Sequence, residues 1–442
     1  MEPSLSSPGL SSPGLSSPGL TSPDGDIETI VVVGLGYVGL PVATVLSSCR
    51  KRVVGVDTNP TAVSAINAGR VHIVEPDLDM LVRASVSTGT LRATDRVEEG
   101  DAFIVAVPTP FDSDKRPDLG HVRAAADSIA PVLRRGNLVV LESTAPVGAT
   151  ERLSRWLADH RPDLVFPHQV TGDELADIHI AHCPERVLPG KVLRELVETD
   201  RVIGGITPAC AEAAKRLYGT FVKGEIFLTS APVAELTKLA ENAFRDVNIA
   251  FANEMALICE TLGLNVWEVI RLANRHPRVN ILHPGPGVGG HCIAIDPWFI
   301  VDSAPEAARL IRTARRINDE RPTVIVERVT AIADRFKHPR IAALGLSYKA
   351  DIDDVRESPA VAIVQALADA VDGAIDVVEP HLSALPRALA DRERVRLVPL
   401  AAALSHADIV VLLVDHKAFK GLSRAMLREK IVIDTRGVWE QG

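Results

Sequence analysis

A lone cysteine at the end of a glycine-rich loop is the residue of this sequence best suited to covalent chemistry. Cys292 follows the stretch GPGVGGH, whose glycines predict that the backbone comes very close to another group. Asp296 and Pro297 come next, and because proline is tolerated only in the first turn of a helix, we expect a helix to begin near here. A thiol at a helix N-terminus is biased towards the thiolate, so Cys292 is predicted to be a nucleophile.

Other roles stay open for Cys292 and its neighbours. Cys292 also suits a small buried core residue, and Asp296 suits a helix N-cap as well as a catalytic carboxylate. His291 offers one metal ligand, but no second ligand pair is evident in the sequence, so no metal site is predicted. We expect the glycines of the loop to keep side chains out of the path of a substrate.

A lysine and an amide four residues apart form a second candidate pair. Lys238 and Asn242 share one face of a predicted helix. Together they suit the stabilisation of an oxyanion that forms on a bound carbonyl group. A lysine beside an apolar stripe is more often a surface cation, and the spacing alone favours that interpretation.

A dinucleotide site is predicted near the start of the folded chain. Gly34, Gly36 and Gly39 form a GxGxxG pattern between a strand and a helix, and Asp57 ends the next strand. Such glycines let backbone amides meet a pyrophosphate, while the acid accepts from ribose hydroxyls. No arginine occurs in residues 58–60, so NAD is preferred over NADP. The alternative is a tight structural turn without a ligand.

Two further turns follow predicted strands. Pro108 and Thr109 end one strand, and Thr144 ends another within the stretch ESTAPVG. Ligands of open parallel sheets bind at the carboxyl ends of the strands, which favours a place for Thr144 in the crevice. For Pro108 a simple turn is the more ordinary interpretation.

The elements that must position these residues fall into three blocks. The pattern predicts an α/β fold with two Rossmann-like, doubly wound parallel-sheet domains, which a central helical block joins. The long helix of that block runs between Ser230 and Gly263, with an apolar stripe at three- to four-residue spacing. The predicted domains are a disordered low-complexity tail (1–26), an NAD-binding domain (27–215), a central helical and dimerisation domain with the cysteine loop (216–318) and a second Rossmann-like domain (319–442). The predicted strands begin at residues 29, 52, 102, 138, 178, 201, 340, 374, 395, 408 and 430.

Composition narrows the class of protein. A net charge of −9 argues against nucleic acid as the main partner, and no apolar run is long enough to cross a bilayer. Five scattered cysteines with no CxxC pair suit a reducing cytoplasm. The tail repeats LSSPG three times and cannot bury enough surface to fold.

Six motifs in order make the chain resemble the UDP-glucose/GDP-mannose dehydrogenase family over nearly everything after residue 26. They are GLGYVGLP, ESTAPVG, CPER, ELTKLAENAFRDVNIAFANE, GPGVGGHCIAIDP and GLSYKADIDDVRESPA. The resemblance implies an enzyme that oxidises the C6 alcohol of a nucleotide-sugar twice with NAD, through a thioester on Cys292, to supply surface polysaccharide precursors. It also implies that the last domain (319–442) binds the UDP-sugar. The long amphipathic helix of the central block indicates a homodimer or a higher homo-oligomer.

The resemblance also implies roles for individual residues. Lys238 and Asn242 stabilise the oxyanion, while Asp296 and Glu185, with Thr144, handle water and protons. The implied cofactor contacts are Gly34, Gly36, Tyr37, Val38, Gly39, Asp57, Pro108, Thr109, Thr144 and Arg356. The implied substrate contacts are Glu185, Arg186, Lys238, Asn242, Gly289, Lys349 and, from a neighbouring subunit, Arg278.

The branch of the family is indicated by the GGHC loop, HPRVNI and AIDPWFIV, which are closest to those of UDP-N-acetyl-D-mannosamine dehydrogenases. UDP-N-acetylglucosamine and UDP-glucose 6-dehydrogenases are the alternatives. A two-electron dehydrogenase of similar build and a nucleotide-sugar-binding regulator are the other classes. Two, one or no NADH formed per sugar separates the three classes.

Overall fold

The computed structural model describes residues 27–73, 75–112, 114–171, 174–187, 190–290 and 292–439. The predicted tail and His291 lie outside the described residues. Within them, two sheets flank a helical block, which confirms the predicted α/β architecture. The strands of the first sheet are β1 (Thr29–Val33), β2 (Arg52–Val56), β3 (Leu91–Thr94), β4 (Ala102–Val105), β5 (Leu138–Leu141), β6 (His179–His182), β7 (Arg201–Gly205) and β8 (Ile226–Ser230). Those of the second are β9 (Arg340–Leu344), β10 (Ala374–Val378), β11 (Val395–Leu397), β12 (Ile409–Leu412) and β13 (Ile431–Asp434).

Helices cover both sheets and fill the centre of the chain. Those of the first domain are α1 (Gly39–Ser48), α2 (Pro60–Asn67), α3 (Leu78–Ser87), α4 (Gly120–Ile129), α5 (Ala149–His160), α6 (Val192–Glu198) and α7 (Pro208–Tyr218), with a 3₁₀ turn at Ala130–Val132. The central helices are α8 (Ala231–Leu262), α9 (Val266–Ala273), α10 (Asp296–Ser303) and α11 (Arg309–Ala333). The last domain has α12 (Pro359–Ala370), α13 (Arg387–Ala390), α14 (Leu400–His406), α15 (Lys417–Lys420) and α16 (Arg424–Leu427).

The first sheet has the order β3-β2-β1-β4-β5-β6-β7-β8, and the second has β11-β10-β9-β12-β13. The second sheet is parallel throughout. In the first, β6 and β7 pair antiparallel, while all other neighbours are parallel. Strands β4, β5, and β12 are buried along their whole length, as expected for parallel strands covered on both faces.

Two strands of the first sheet were not predicted from the sequence. In β3, buried and exposed residues alternate over only four positions, and β8 has no fully buried residue. Neither therefore has the continuous apolar run that marks the central strands. Because β8 pairs with β7, the first domain continues to Ser230, and the predicted boundary at 215 was wrong: it falls inside α7.

The long helix α8 has the predicted limits. Ser230 precedes it in an extended conformation, and Gly263 ends it with a φ of 68°. Glycine adopts this left-handed conformation without strain, which is why it stops helices. The predicted boundary at 318 lies inside α11, which packs against both α8 and α12, so this helix belongs to the central block and to the last domain alike.

A buried polar network joins α8 to α11 and to the glycine loop. Arg315 pairs with Asp246 across the two helices, and both side chains have no solvent exposure. Asn253 donates to Asn318 at 2.8 Å and accepts from the Gly285 amide at 2.9 Å. The start of the cysteine loop is therefore fixed by side chains of the central helices.

Within the described residues, every helix is too short or too polar to traverse a lipid bilayer.

Candidate active site

The turn between β1 and α1 has the geometry of a phosphate cradle. Gly34 has a φ of +94°, and a Cβ on it would lie 2.5 Å from the Ala106 carbonyl oxygen. A Cβ on Gly39 would lie 1.8 Å from the Gly34 oxygen, whereas one on Gly36 would meet no atom within 4 Å. The open space at Gly36 fits a pyrophosphate that approaches the backbone. Asp57 accepts from the Leu35 amide at 2.9 Å, which ties the acid to this turn.

The last domain also reaches this turn. Tyr37 and Val38 directly precede α1, and the Arg356 guanidinium lies 5.4 Å from the centre of the Tyr37 ring. Arg356 is held by Asp354, to which its Nε and Nη2 donate at 2.9 and 2.7 Å. The arginine implied by the resemblance to reach the cofactor therefore lies at the domain boundary, within range of a cation–π contact with the tyrosine.

Two strand ends meet beside the turn. The Thr109 hydroxyl donates to the Thr144 carbonyl oxygen at 2.6 Å, and the Ser143 hydroxyl donates to the Val107 carbonyl oxygen at 2.6 Å. These bonds hold the ends of β4 and β5 together at the carboxyl edge of the sheet. Pro108 is exposed between them, so this segment forms one wall of the crevice where parallel sheets bind ligands.

Cys292 precedes helix α10 by one turn. Its carbonyl oxygen accepts from the Ile295 and Asp296 amides at 3.0 and 2.9 Å. Although the residue is solvent-accessible, desolvation of the thiol by surrounding protein atoms, and then the charge of Asp296, raise its pKa to about 11. The charge of Lys238 lowers the pKa of the thiol, but by less than these two causes raise it. The expected bias towards thiolate is therefore wrong for this conformation, and the thiol requires a base.

Asp296 supplies a carboxylate next to that thiol. It is 2 % exposed, and Asn242 donates to its Oδ2 at 2.5 Å. Burial raises the pKa of Asp296 to about 6, against the opposing effects of the Asn242 hydrogen bond and Lys238. Asp296 is the first residue of α10 and its side chain makes no capping bond, so the N-cap interpretation was wrong.

Lys238 is half-buried on α8, one turn before Asn242. Its charge lowers the pKa of Cys292, Asp296 and Glu185, so it lies near all three. This position agrees with the predicted pairing of Lys238 with the site residues better than with a fully exposed surface cation. The site therefore brings together Cys292 from the loop, Asp296 from α10, and Lys238 and Asn242 from α8.

Glu185 lies at the other side of the group, in the segment after β6. Its Oε2 accepts from the Val187 amide at 2.6 Å, and its Oε1 lies 3.6 Å from Nη1 of Arg201. Burial raises the pKa of Glu185, against the opposing charge of Arg201. Arg186, beside it, donates to Glu241 at 3.1 Å and to the Asp200 carbonyl oxygen at 3.2 Å, so its guanidinium is engaged within the protein.

A buried ionisable group behind Glu185 was not recognised from the sequence. Glu142 is 1 % exposed, and neither of its oxygens meets hydrogen-bond geometry with any described residue. Desolvation raises its pKa to about 8, although Arg201 opposes the shift. Cys183 and Tyr218 complete the group, and burial raises the pKa of the Cys183 thiol to about 12. The signal was present, since Glu142 and Cys183 belong to two of the quoted motifs.

A cavity of about 470 Å³ lies between the glycine loop and the last domain, a volume typical of small-molecule sites. Residues 285–289 form one wall and residues 347–350, with the exposed Lys349, form another. Arg278 does not line it; this residue is exposed in the segment after α9.

The glycines of the loop face the last domain rather than open space. A Cβ on Gly289 would lie 2.6 Å from Cδ of Pro359 and 2.7 Å from the Glu357 oxygen. Gly290 has a φ of +83°, and its Cβ would lie 3.1 Å from the Tyr348 ring. These glycines therefore permit the close approach of the last domain. That they also clear a path for the substrate stays a prediction.

A dinucleotide cradle at the edge of the first sheet, with a second sheet domain across a cavity, is the arrangement of a nucleotide-dependent dehydrogenase. The chain belongs to the UDP-glucose/GDP-mannose dehydrogenase family. Its NAD-binding domain matches residues 28–222, its central domain 232–320 and its UDP-binding domain 342–441. The protein is therefore an NAD-dependent nucleotide-sugar dehydrogenase.

Individual relatives cover almost the whole chain. An NDP-N-acetyl-D-galactosaminuronic acid dehydrogenase of Ralstonia nicotianae is 64 % identical over 94 % of this chain and 97 % of its own length. A UDP-N-acetyl-D-mannosamine dehydrogenase of Yersinia pestis is 55 % identical over 93 % and 99 %. A UDP-D-ManNAc dehydrogenase structure from Pyrococcus horikoshii has a TM-score of 0.82 at 39 % identity, over 94 % of this chain and 96 % of that one.

Proposed function

We propose that the protein oxidises the C6 alcohol of a UDP-N-acetylhexosamine to the carboxylate in two two-electron steps at one site. The contact that carries this proposal is the 2.5 Å hydrogen bond from Asn242 to Asp296, one turn after Cys292. It links the thiol, its neighbouring carboxylate and the face of α8 that bears Lys238. A two-electron alcohol dehydrogenase needs no such thiol.

The cofactor site in this proposal is the glycine turn, with Asp57 for the ribose hydroxyls and Thr109 and Thr144 along the crevice wall. Bound NAD supplies the hydride acceptor for each oxidation. Asp57 selects NAD because a ribose 2′-phosphate would face its carboxylate. Arg356 adds a cation where the last domain meets the turn.

The chemistry of the chain's own residues follows from their protonation. Asp296, ionised above a pH of about 6, takes the proton of the sugar hydroxyl in the first oxidation. The Cys292 thiol then adds to the aldehyde carbon, and its proton passes through Asp296 to the new hydroxyl. The product is a tetrahedral thiohemiacetal. Lys238 and Asn242 stabilise the oxygen while it carries negative charge.

The second half of the reaction releases the product. Asp296 first releases to solvent the proton that it took from the sugar. It then takes the hydroxyl proton of the thiohemiacetal while the hydride leaves to a second molecule of NAD, and a thioester forms. Glu185, with Thr144, activates the water that attacks this thioester. The C–S bond breaks, the thiol regains its proton and a carboxylate leaves.

The substrate in this proposal carries an N-acetylated hexose. UDP-N-acetyl-D-mannosamine is the first candidate, on the loop motifs and on relatives of that name at 54–55 % identity. The N-acetyl-D-galactosamine nucleotide is the second, because the relative at 64 % identity is named for the galactosaminuronic acid. In both, the cavity beside Gly289 and Lys349 takes the nucleotide-sugar.

We also propose a two-fold dimer through α8. Phe244, Phe251 and Ile258 recur at seven-residue intervals and are 73, 50 and 43 % exposed. Such a row of large apolar side chains suits pairing with the same row of a second copy. Arg278 would then reach the neighbouring subunit's substrate. The five free cysteines support a reducing, cytoplasmic location.

The test is the yield of NADH from a limiting amount of each nucleotide-sugar. The panel contains the UDP-linked N-acetylated mannosamine, galactosamine and glucosamine, UDP-glucose and GDP-mannose, each with NAD. Two NADH per sugar consumed for one N-acetylated epimer supports the proposal. One NADH per sugar refutes the four-electron reaction, and turnover of UDP-glucose alone refutes the substrate class.

A further inference from the structure

A fully buried histidine lies beneath the loop that forms one wall of the cavity. The loop follows β9, and His416 follows β12, the neighbouring strand of the same sheet. Its Nδ1 lies 2.9 Å from the Asp351 amide, and its Nε2 lies 3.0 Å from Oε2 of Glu379. The imidazole therefore bridges the far end of the loop and the end of β10.

Glu379 holds the near end of the same loop. Its Oε2 also accepts from the Leu346 and Ser347 amides at 2.7 and 3.1 Å. The Ser347 hydroxyl then donates to the Lys349 carbonyl oxygen at 2.7 Å. Both ends of residues 346–351 thus depend on one buried carboxylate and imidazole pair.

The partners define the tautomer of His416. A backbone amide can only donate, so Nδ1 must be the acceptor, and an ionised carboxylate can only accept, so Nε2 carries the hydrogen. Asp351, His381 and His416 bring ligand atoms within 4.8 Å of one another, as a metal site would. Because both nitrogens of His416 already have partners, this group is a hydrogen-bonded support for the loop and is not a metal site.

We infer that His416 is a positioning residue for nucleotide-sugar binding. It acts by holding the Asp351 amide, and through it the loop that carries Tyr348 and Lys349 along the cavity. This inference rests on the proposed function, since it takes that cavity to be the nucleotide-sugar site. The hydrogen bonds of His416 reach neither Cys292 nor Asp296, so we expect its loss to act first on binding rather than on the chemical steps.

Two substitutions separate the two ends of the imidazole. In His416→Asn the amide oxygen replaces Nδ1 as the acceptor for Asp351 but loses the donor to Glu379. In His416→Gln the amide nitrogen replaces Nε2 as the donor to Glu379 but leaves the Asp351 amide without its acceptor. The exposed His406, in the same domain, gives the matched control His406→Gln.

The experiment measures the dissociation constant of UDP by calorimetry, the KM of the nucleotide-sugar and of NAD, and kcat. We expect His416→Gln to raise the UDP dissociation constant and the sugar KM about tenfold, with kcat and the KM of NAD near those of the unmodified protein. In His416→Asn the UDP dissociation constant and the sugar KM should stay within about threefold of the unmodified protein, since this variant keeps the bond to the loop. His406→Gln should change neither quantity.

The possible failures are distinct. If His416→Gln binds UDP and the sugar as the unmodified protein does, the positioning role is refuted. Equal losses in the Gln and Asn variants, or a fall in kcat with unchanged KM, refute it as well, because they indicate a general structural role. If the unmodified protein does not bind UDP, the proposed function fails and the inference falls with it.

Discussion

Replacing Asp296 with asparagine is expected to remove activity and, at neutral pH, to stabilise the fold. In the folded protein, burial raises the pKa of this carboxyl from 3.8 to about 6. Its charged form is therefore less favourable in the folded than in the unfolded chain. Two pKa units at about 1.4 kcal/mol each give an upper limit of about 3 kcal/mol. Asparagine keeps the shape and can still accept from Asn242.

The sign of the pH dependence follows from the same shift. Below the unfolded value of 3.8 both states are protonated, and the penalty of the wild-type carboxylate disappears. It grows as the pH rises and is complete above about 6, so the advantage of Asp296→Asn at pH 5 should be about half of that at pH 7.5. In the same variant kcat/KM should fall by about 10² or more, because the base is lost.

The measurement is the midpoint of thermal unfolding at the two pH values, together with NADH formation. Asp302→Asn is the control, since Asp302 lies on the same helix but is exposed. A variant that is less stable than the unmodified protein at pH 7.5, or whose advantage does not change with pH, would refute the burial argument. Near-normal turnover would exclude Asp296 as the base.

Three further expectations concern the thiol, the cofactor and the assembly. Cys292→Ala should bind NAD and the nucleotide-sugar almost normally yet form almost no uronate, and Cys292→Ser should trap an oxygen ester visible by intact mass. Two NADH per sugar from the alanine variant would refute the thioester. The unmodified enzyme should prefer NAD by more than about tenfold, and Asp57→Ala should erode this preference mainly by weakening NAD; equal kcat/KM with NADP would refute the role of Asp57. Light scattering should give about twice the chain mass, and Phe251→Asp should give monomers, whereas a fully active unmodified monomer would leave α8 as an internal support.

The sequence predicted best those features that depend on local signals. Ser230 and Gly263 mark the ends of α8 because cap residues act within one turn. Asp57 was recognisable because the glycine turn and its acid lie close together in sequence. The raised pKa of the Cys292 thiol was not recognisable, since it comes from burial and from the charge of Asp296 in the folded protein.

The group around Glu142 shows the other limit. Its members come from the ends of β5 and β6, from β7 and from α7, and only the folded sheet brings them together. No spacing in the sequence indicates that Arg201 lies within reach of Glu185. Domain boundaries are hard to place for a related reason: α11 packs on two domains, so no change of pattern marks the place where one ends.

The fit between the glycine loop and the last domain also limits how such proteins can be recombined. A Cβ on Gly289 would clash with Pro359 and Glu357, and one on Gly290 would press tightly against the Tyr348 ring, although these partners lie in a different domain. An exchange of C-terminal domains between two relatives would preserve each sheet and still place unmatched surfaces against this loop. The cysteine loop and the segment from residue 345 to residue 360 should therefore be inherited as one unit, and working chimaeras should exchange both together.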